Sequence, residues 1–274
     1  MVSQIFCKNL RMDSSEKSSA QRIVIPNRHK EKLVGLLHET GSREVDNQTM
    51  NNVAATLEKE GITAFRFDFS GNGYMFLASC FDLVFWEVWL RLHGCCCCRE
   101  SEGSFYYGNY NHEADDLRSV VQHFSNMDRV VHVVLGHSKG GDVVLLYAPS
   151  ITISAIKALQ SVLGNFLETI KQQGFIDVKD GKSGYRVTEE SLMERLSTDM
   201  HEACLKIDKE CRVLTVHGSD DEVIPVEDAK EFAKIIPNHK LTIVEGADHC
   251  YTKHQTQLVA TITEFIKTVI LKNN

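Results

Sequence analysis

The feature that most constrains this chain is an apolar run, residues 130–135 (VVHVVL), that passes directly into Gly136-His137-Ser138-Lys139-Gly140-Gly141 and then into a helical pattern. A Gly-x-Ser-x-Gly turn between a buried strand and a helix is so tight that side chains flanking the serine would collide, hence the glycines. The serine is left in a strained backbone conformation with its hydroxyl raised above the sheet, near the N–H groups that open the helix. Ser138 is therefore the candidate nucleophile, presented by an elbow of Gly136, His137 and Gly140. The backbone N–H of Lys139 is placed to stabilise an oxyanion.

Such an elbow needs a sheet behind it, and the remaining pattern supplies one. Residues 22–26 and 32–38 read as an opening pair of strands with Pro26, Asn27 and Arg28 at the turn. A helix over 50–60 stops at Gly61, and a strand over 62–69 follows. The helix predicted over 111–126 carries Leu117, Val120, Val121 and Phe124 on one face. Strands at 212–216 and 240–244 alternate with helices at 227–235 and 255–271, the last facing Leu258, Ile262, Phe265, Ile266 and Val269 inward. This alternation predicts an α/β fold with a mostly parallel sheet flanked by helices. Between 149 and 200 the rhythm loosens into charged helices at 166–173 and 189–196 around a turn at 179–184, which reads as a small cap.

With 274 residues, 43% of them hydrophobic, there is enough material for one core, and residues 21–274 read as a single domain. Residues 1–20 lack an apolar leader and read as a polar, frayed tail. Thirty Lys and Arg against 37 Asp and Glu leave a net charge of −7, which argues against nucleic acid as a partner. The nine cysteines, with no secretory leader ahead of them, read as reduced thiols of a cytoplasmic protein. The Cys95–Cys98 run has no second, well-spaced ligand pair, so no metal is expected.

A serine needs a base, and the base needs an acid to hold it. For an elbow of this type the chain order is Ser, acid, His. His217-Gly218-Ser219-Asp220-Asp221 follows the strand at 212–216, and Glu245-Gly246-Ala247-Asp248-His249 follows the strand at 240–244. Both loops lie at the carboxyl ends of strands, where α/β sheets place their sites. His249 is the candidate base and Asp221 the candidate acid, with Asp220 as the turn residue; the reverse assignment of the two aspartates stays open at this level. His123, His132, His201 and His254 fall outside these loops and read as structural or solvated.

These segments resemble the serine aminopeptidase S33, monoacylglycerol-lipase-like group of the α/β-hydrolases, and especially its small plant members. The resemblance rests on LEKEGITAFRFDFSGNG, ESEGSFYYGNY, EADDLRSVVQHF, LGHSKGGDVVLLYA, RVLTVHGSDDEVIPVEDA and EGADHCY, and it covers most of the chain from Arg22 onward. It implies Ser138 as nucleophile, Asp221 as orienting acid and His249 as base, with no cofactor.

The chain departs from that group at three places. Such relatives carry a strand ending in His-Gly between the opening hairpin and the first helix, and its loop gives a second oxyanion donor; here one strand is missing, with His38 to Ser42 as the nearby substitute. Losing one such donor costs about 3 kcal/mol. Residues 74–99 separate GNG from ESEGSF, which adjoin in the relatives. This aromatic, cysteine-rich insert reads as a retained intron, since Gly73-Tyr74-Met75 and Cys98-Arg99 can be encoded with GT and AG splice flanks. A membrane anchor is the competing reading, opposed by Asp82, Glu87 and Arg91 at roughly 3 kcal/mol each. Thirdly, residues 149–164 are shorter than the relatives' next strand and cap entry.

The expected activity is a serine hydrolase cleaving carboxylic esters, or amides, of small or lipid-like acyl compounds through an acyl-enzyme. The alternative is a catalytically impaired splice variant or a ligand-binding receptor on the same scaffold.

Overall fold

In a computed structural model of the chain, residues 2–7, 21–38, 49–71, 100–147, 169–180 and 183–272 are described. The opening hairpin joins β2 (Gln21–Pro26) to β3 (Lys32–His38), which pairs antiparallel with β4 (Thr63–Asp68). Helix α1 (Thr49–Lys59) precedes β4, and α2 (Tyr110–Ser125) leads to β5 (Val131–Gly136) and then α3 (Lys139–Tyr147). Later come β8 (Val213–Gly218), α6 (Val226–Ile235), β9 (His239–Val244) and α7 (Gln255–Lys272). Each of these lies within a residue or two of its sequence expectation, except that α3 starts three residues before the helix expected over 142–147.

Val2–Cys7 is not a frayed tail. It forms strand β1, seated between β4 and β5 in a five-stranded sheet of order β2-β3-β4-β1-β5. It runs antiparallel to both neighbours, Ile5 standing opposite Phe65 on one side and Val134 on the other. The physical reason is non-local: β4 and β5 run the same way and present facing edges whose N–H and C=O groups need partners. Six residues with no amphipathic signature of their own can satisfy both. The anticipated parallel pairing occurs between β8 and β9, whereas every neighbouring pair of the five-stranded sheet is antiparallel. Among the described residues no strand lies between β3 and α1.

Helices cover both faces of the sheet. Along β4 the side chains alternate. Phe65, Phe67 and Phe69 pack with Leu117, Val120 and Phe124 of α2 and with Val143 and Leu146 of α3. Ala64 faces the other way, onto Val53 and Leu57 of α1 and Leu258, Ile262 and Ile266 of α7. Each fully buried phenylalanine contributes about 2–3 kcal/mol of apolar burial.

The cap differs in its make-up. Where two helices around a turn are expected, the structure has helical residues 169–173, a hairpin of β6 (Phe175–Asp180) and β7 (Ser183–Thr188), and then α4 (Glu189–Ser197), closed at its start by a capping box between Thr188 and Ser191. Helix α5 (Met200–Leu205) follows, capped by Asp199. The insert at 74–99 and the altered stretch at 149–164 lie outside the described residues, but the insert's flanks meet: Gly71 N–H donates to the Glu102 carbonyl at 2.9 Å. Among the described residues no helix is long and apolar enough to cross a membrane.

Candidate active site

Ser138 sits between β5 and α3 with φ = 57°, the left-handed backbone that an elbow requires. Gly136 shows why the turn tolerates no side chain: a Cβ there would lie 2.0 Å from the Gly140 carbonyl oxygen. The helix is entered at once, Gly141 N–H donating to the Ser138 carbonyl at 2.8 Å. The N–H of Lys139 is therefore one of the unpaired donors of a helix start.

The acid loop follows β8. Asp221 Oδ1 accepts the N–H groups of Val223 and Ile224, both at 2.9 Å, and Oδ2 faces His249 Nδ1 at 2.7 Å. Burial works to raise its pKa, but the hydrogen bonds from His249 and the Ile224 and Val223 amides outweigh it and hold the carboxyl below the ordinary range. His217 Nε2 donates to the Ile224 carbonyl at 3.0 Å and stands 3.5 Å from Asp221 Oδ2, closing the loop on its other side. Asp220 is exposed and accepts the Ser219 hydroxyl, so of the two aspartates it is Asp221 that meets the histidine.

The base loop follows β9 and is pressed against the acid loop: a Cβ on Gly218 would come within 2.1 Å of the Ala247 carbonyl. His249 is 6% exposed, and its Nε2 is buried with no hydrogen-bond partner among the described residues, Ser138 included. With Nδ1 committed to Asp221, Nε2 is the nitrogen left to accept a proton. Tyr251, at φ = 54°, anchors the loop's far end through its hydroxyl on the Val216 carbonyl at 2.6 Å.

Two features of the site went unread in the sequence. His137, noted there only as part of the elbow, has Nε2 3.0 Å from the His249 carbonyl oxygen and its ring 5.2 Å from that of His249. Burial, and then the neighbouring His249, push its pKa down to about 4, so it is neutral and donates. Beneath the elbow, Lys139 Nζ forms a buried ion pair with Glu113 Oε1 at 2.6 Å and lies 4.9 Å over the Tyr110 ring. The signal for it was present: Glu113 falls on the same helical stripe as Leu117, Val120 and Phe124, an acid where the pattern asks for an apolar residue.

Glu31, His112 and Asp116 bring potential ligand atoms within 4.8 Å of one another. Their hydrogen bonds give them a structural role. Asn27 Nδ2 donates to both carboxylates, and Asp116 also accepts the N–H and hydroxyl of Ser70. Together they pin the β2–β3 turn to α2.

No protein-family profile matches the chain. Among curated proteins it is similar to the bifunctional esterase/perhydrolase DCH of Acinetobacter calcoaceticus, 29% identical over 189 residues that cover 51% of this chain and 67% of that protein. Among solved structures it is similar to Est1E from Butyrivibrio proteoclasticus with ferulic acid bound, at a TM-score of 0.62 and 19% identity over 91% of this chain and 99% of that one. The esterase EaEST from Exiguobacterium antarcticum gives a TM-score of 0.60 at 16% identity over 90% and 100%. Mouse α/β-hydrolase domain-containing protein 10 gives 0.59 at 17% over 91% and 100%. The chain has the α/β-hydrolase fold.

Proposed function

We propose that this protein is a serine hydrolase that cleaves carboxylic esters of small acyl compounds, with lipid-like esters of the kind suggested by its resemblance to monoacylglycerol-lipase-like proteins as the first class to try. The observation that carries the reading is one imidazole, His249, with Nδ1 2.7 Å from Asp221 Oδ2 and Nε2 buried and without a partner among the described residues, in a chain whose Ser138 has the elbow backbone. That is an oriented base with its proton-accepting nitrogen in reserve. The esterase names among the similar proteins lend support, as does the ferulic acid held by Est1E.

In this reading His249 Nε2 takes the Ser138 hydroxyl proton as Oγ attacks the ester carbonyl. The oxyanion forms against the Lys139 N–H. Collapse expels the alcohol, which receives the proton from His249, and water attacks the acyl-enzyme with His249 again as base. Asp221 holds the Nδ1–H tautomer and stabilises the imidazolium. All these groups come from the chain itself. A cytoplasmic setting is part of the same proposal and rests on the sequence alone, whose nine cysteines read as reduced thiols.

The test is a fluorophosphonate probe on monodisperse protein, followed by a panel of p-nitrophenyl esters. Wild type is expected to label and turn over, and Ser138→Ala to do neither. Folded wild type that binds esters without labelling would overturn the hydrolase reading in favour of a ligand receptor.

A further inference from the structure

We propose that His137 is a positioning residue for His249: its Nε2–H, donated to the His249 carbonyl, ties the base loop to the nucleophile elbow so that base and serine move as one unit. This inference rests on the hydrolase reading of the site. The two histidines come from loops 112 residues apart in sequence, and this is a direct hydrogen bond between the elbow and the base's own main chain. The contact is 3.0 Å long and part-buried, which shields it in part from competing water.

The ring environment suits a neutral donor. His137 lies 5.2 Å from the His249 ring and 6.5 Å from the Tyr251 ring, with Asp221 close enough to act on it electrostatically. A second cation at this distance would oppose the imidazolium that His249 becomes when it takes the serine proton. A neutral donor steadies the loop without that opposition. The side chain touches neither the serine hydroxyl nor the Nε2 of His249 by any hydrogen bond, so it acts through His249 alone.

Other supports of the base loop come from the acid side, where Asp221 fixes Nδ1, and from Tyr251, whose hydroxyl anchors the loop to β8. The Tyr251 ring meets the elbow only by its edge contact with His137, which fixes no direction as a hydrogen bond does. Without the His137 contact the imidazole keeps its acid but loses its register against Ser138, and displacements of about 1 Å at a reacting pair cost up to about a hundredfold.

The experiment compares His137→Phe, which keeps a flat ring and removes the donor, with His137→Gln, whose amide nitrogen can reach the carbonyl. Kinetics on a p-nitrophenyl ester are normalised to the fluorophosphonate-titrated active fraction, and hydrogen exchange is followed over residues 246–251. We expect His137→Phe to lower kcat about ten- to a hundredfold with KM changed less than about twofold, and exchange over 246–251 to quicken. His137→Gln should recover most of both. A fall in active fraction with unchanged kcat per active site would overturn the proposal, since that is loss of fold and not of register. So would unchanged exchange in His137→Phe. If the wild type proves inactive while exchange responds as expected, positioning stands and the hydrolase reading alone fails.

Discussion

At the scale of single residues, the site depends on which carboxylate meets which nitrogen. Asp221 has both oxygens engaged, one by two backbone amides and one by His249, while neighbouring Asp220 is turned to solvent. Asp221→Asn keeps the shape but favours the wrong imidazole tautomer, and a fall in kcat of about 10³- to 10⁴-fold is expected. Asp220→Asn should stay within about twofold, because its lost contact is exposed. Steady-state kinetics on the two variants check the assignment, and the opposite ranking would exchange their roles. The sequence alone left the two aspartates open because they are adjacent in the loop after the same strand; what separates them is the direction of each side chain, set by the turn that sends the Val223 and Ile224 amides towards Asp221.

At the scale of elements, local pattern and tertiary demand tell different stories. The elbow, the hairpin of β2 and β3, and the helices α2 and α7 were legible because apolar spacing and turn residues mark them locally. The hairpin of β6 and β7 was not, since its turn was read but its flanking residues carry too many charges to look like strands. Strand β1 was invisible for a different reason: nothing in VSQIFC announces a central strand, and its place is set by two edges that lie far along the chain. Removing residues 1–8 should leave those edges of β4 and β5 open. Backbone hydrogen bonds contribute about 1 kcal/mol each, and a domain's entire stability is about 5–15 kcal/mol. The truncated protein is therefore expected to lose its cooperative urea transition and to aggregate, as read by circular dichroism and light scattering. A truncation that unfolds at the wild-type midpoint would show that β1 is dispensable to the sheet.

At the scale of the whole molecule, stability should depend on pH through groups that the fold keeps from their ordinary charge. An exposed imidazole takes a proton near pH 6.5, whereas burial holds His137 neutral down to about 4. Between those values the unfolded chain binds a proton that the native one refuses, so the contribution is fully present above about pH 6.5 and is lost as pH falls towards 4. Asp221, held below its ordinary range, adds to the loss on further acidification. Asp142 works in the opposite direction: burial raises it to about 6, so its penalty grows as pH rises from its unfolded value towards 6. The difference between wild type and His137→Gln isolates the first of these. In urea titrations the wild type should lose about 2 kcal/mol more than the variant between pH 7 and pH 5. Equal losses would mean that His137 takes up its proton normally in the folded protein.

The seat of β1 also sets an order of events during synthesis. The ribosome makes Ser3 long before Gly136, its partner across the sheet. At about 5–20 residues per second the interval is on the order of ten seconds. Until β5 is made, β1 can meet only β4, so one edge of this earliest-made described segment has no partner within the five-stranded sheet. A cell producing this protein must keep that edge from pairing with another chain, and anything appended to the amino terminus emerges at the end of the sheet that carries the elbow.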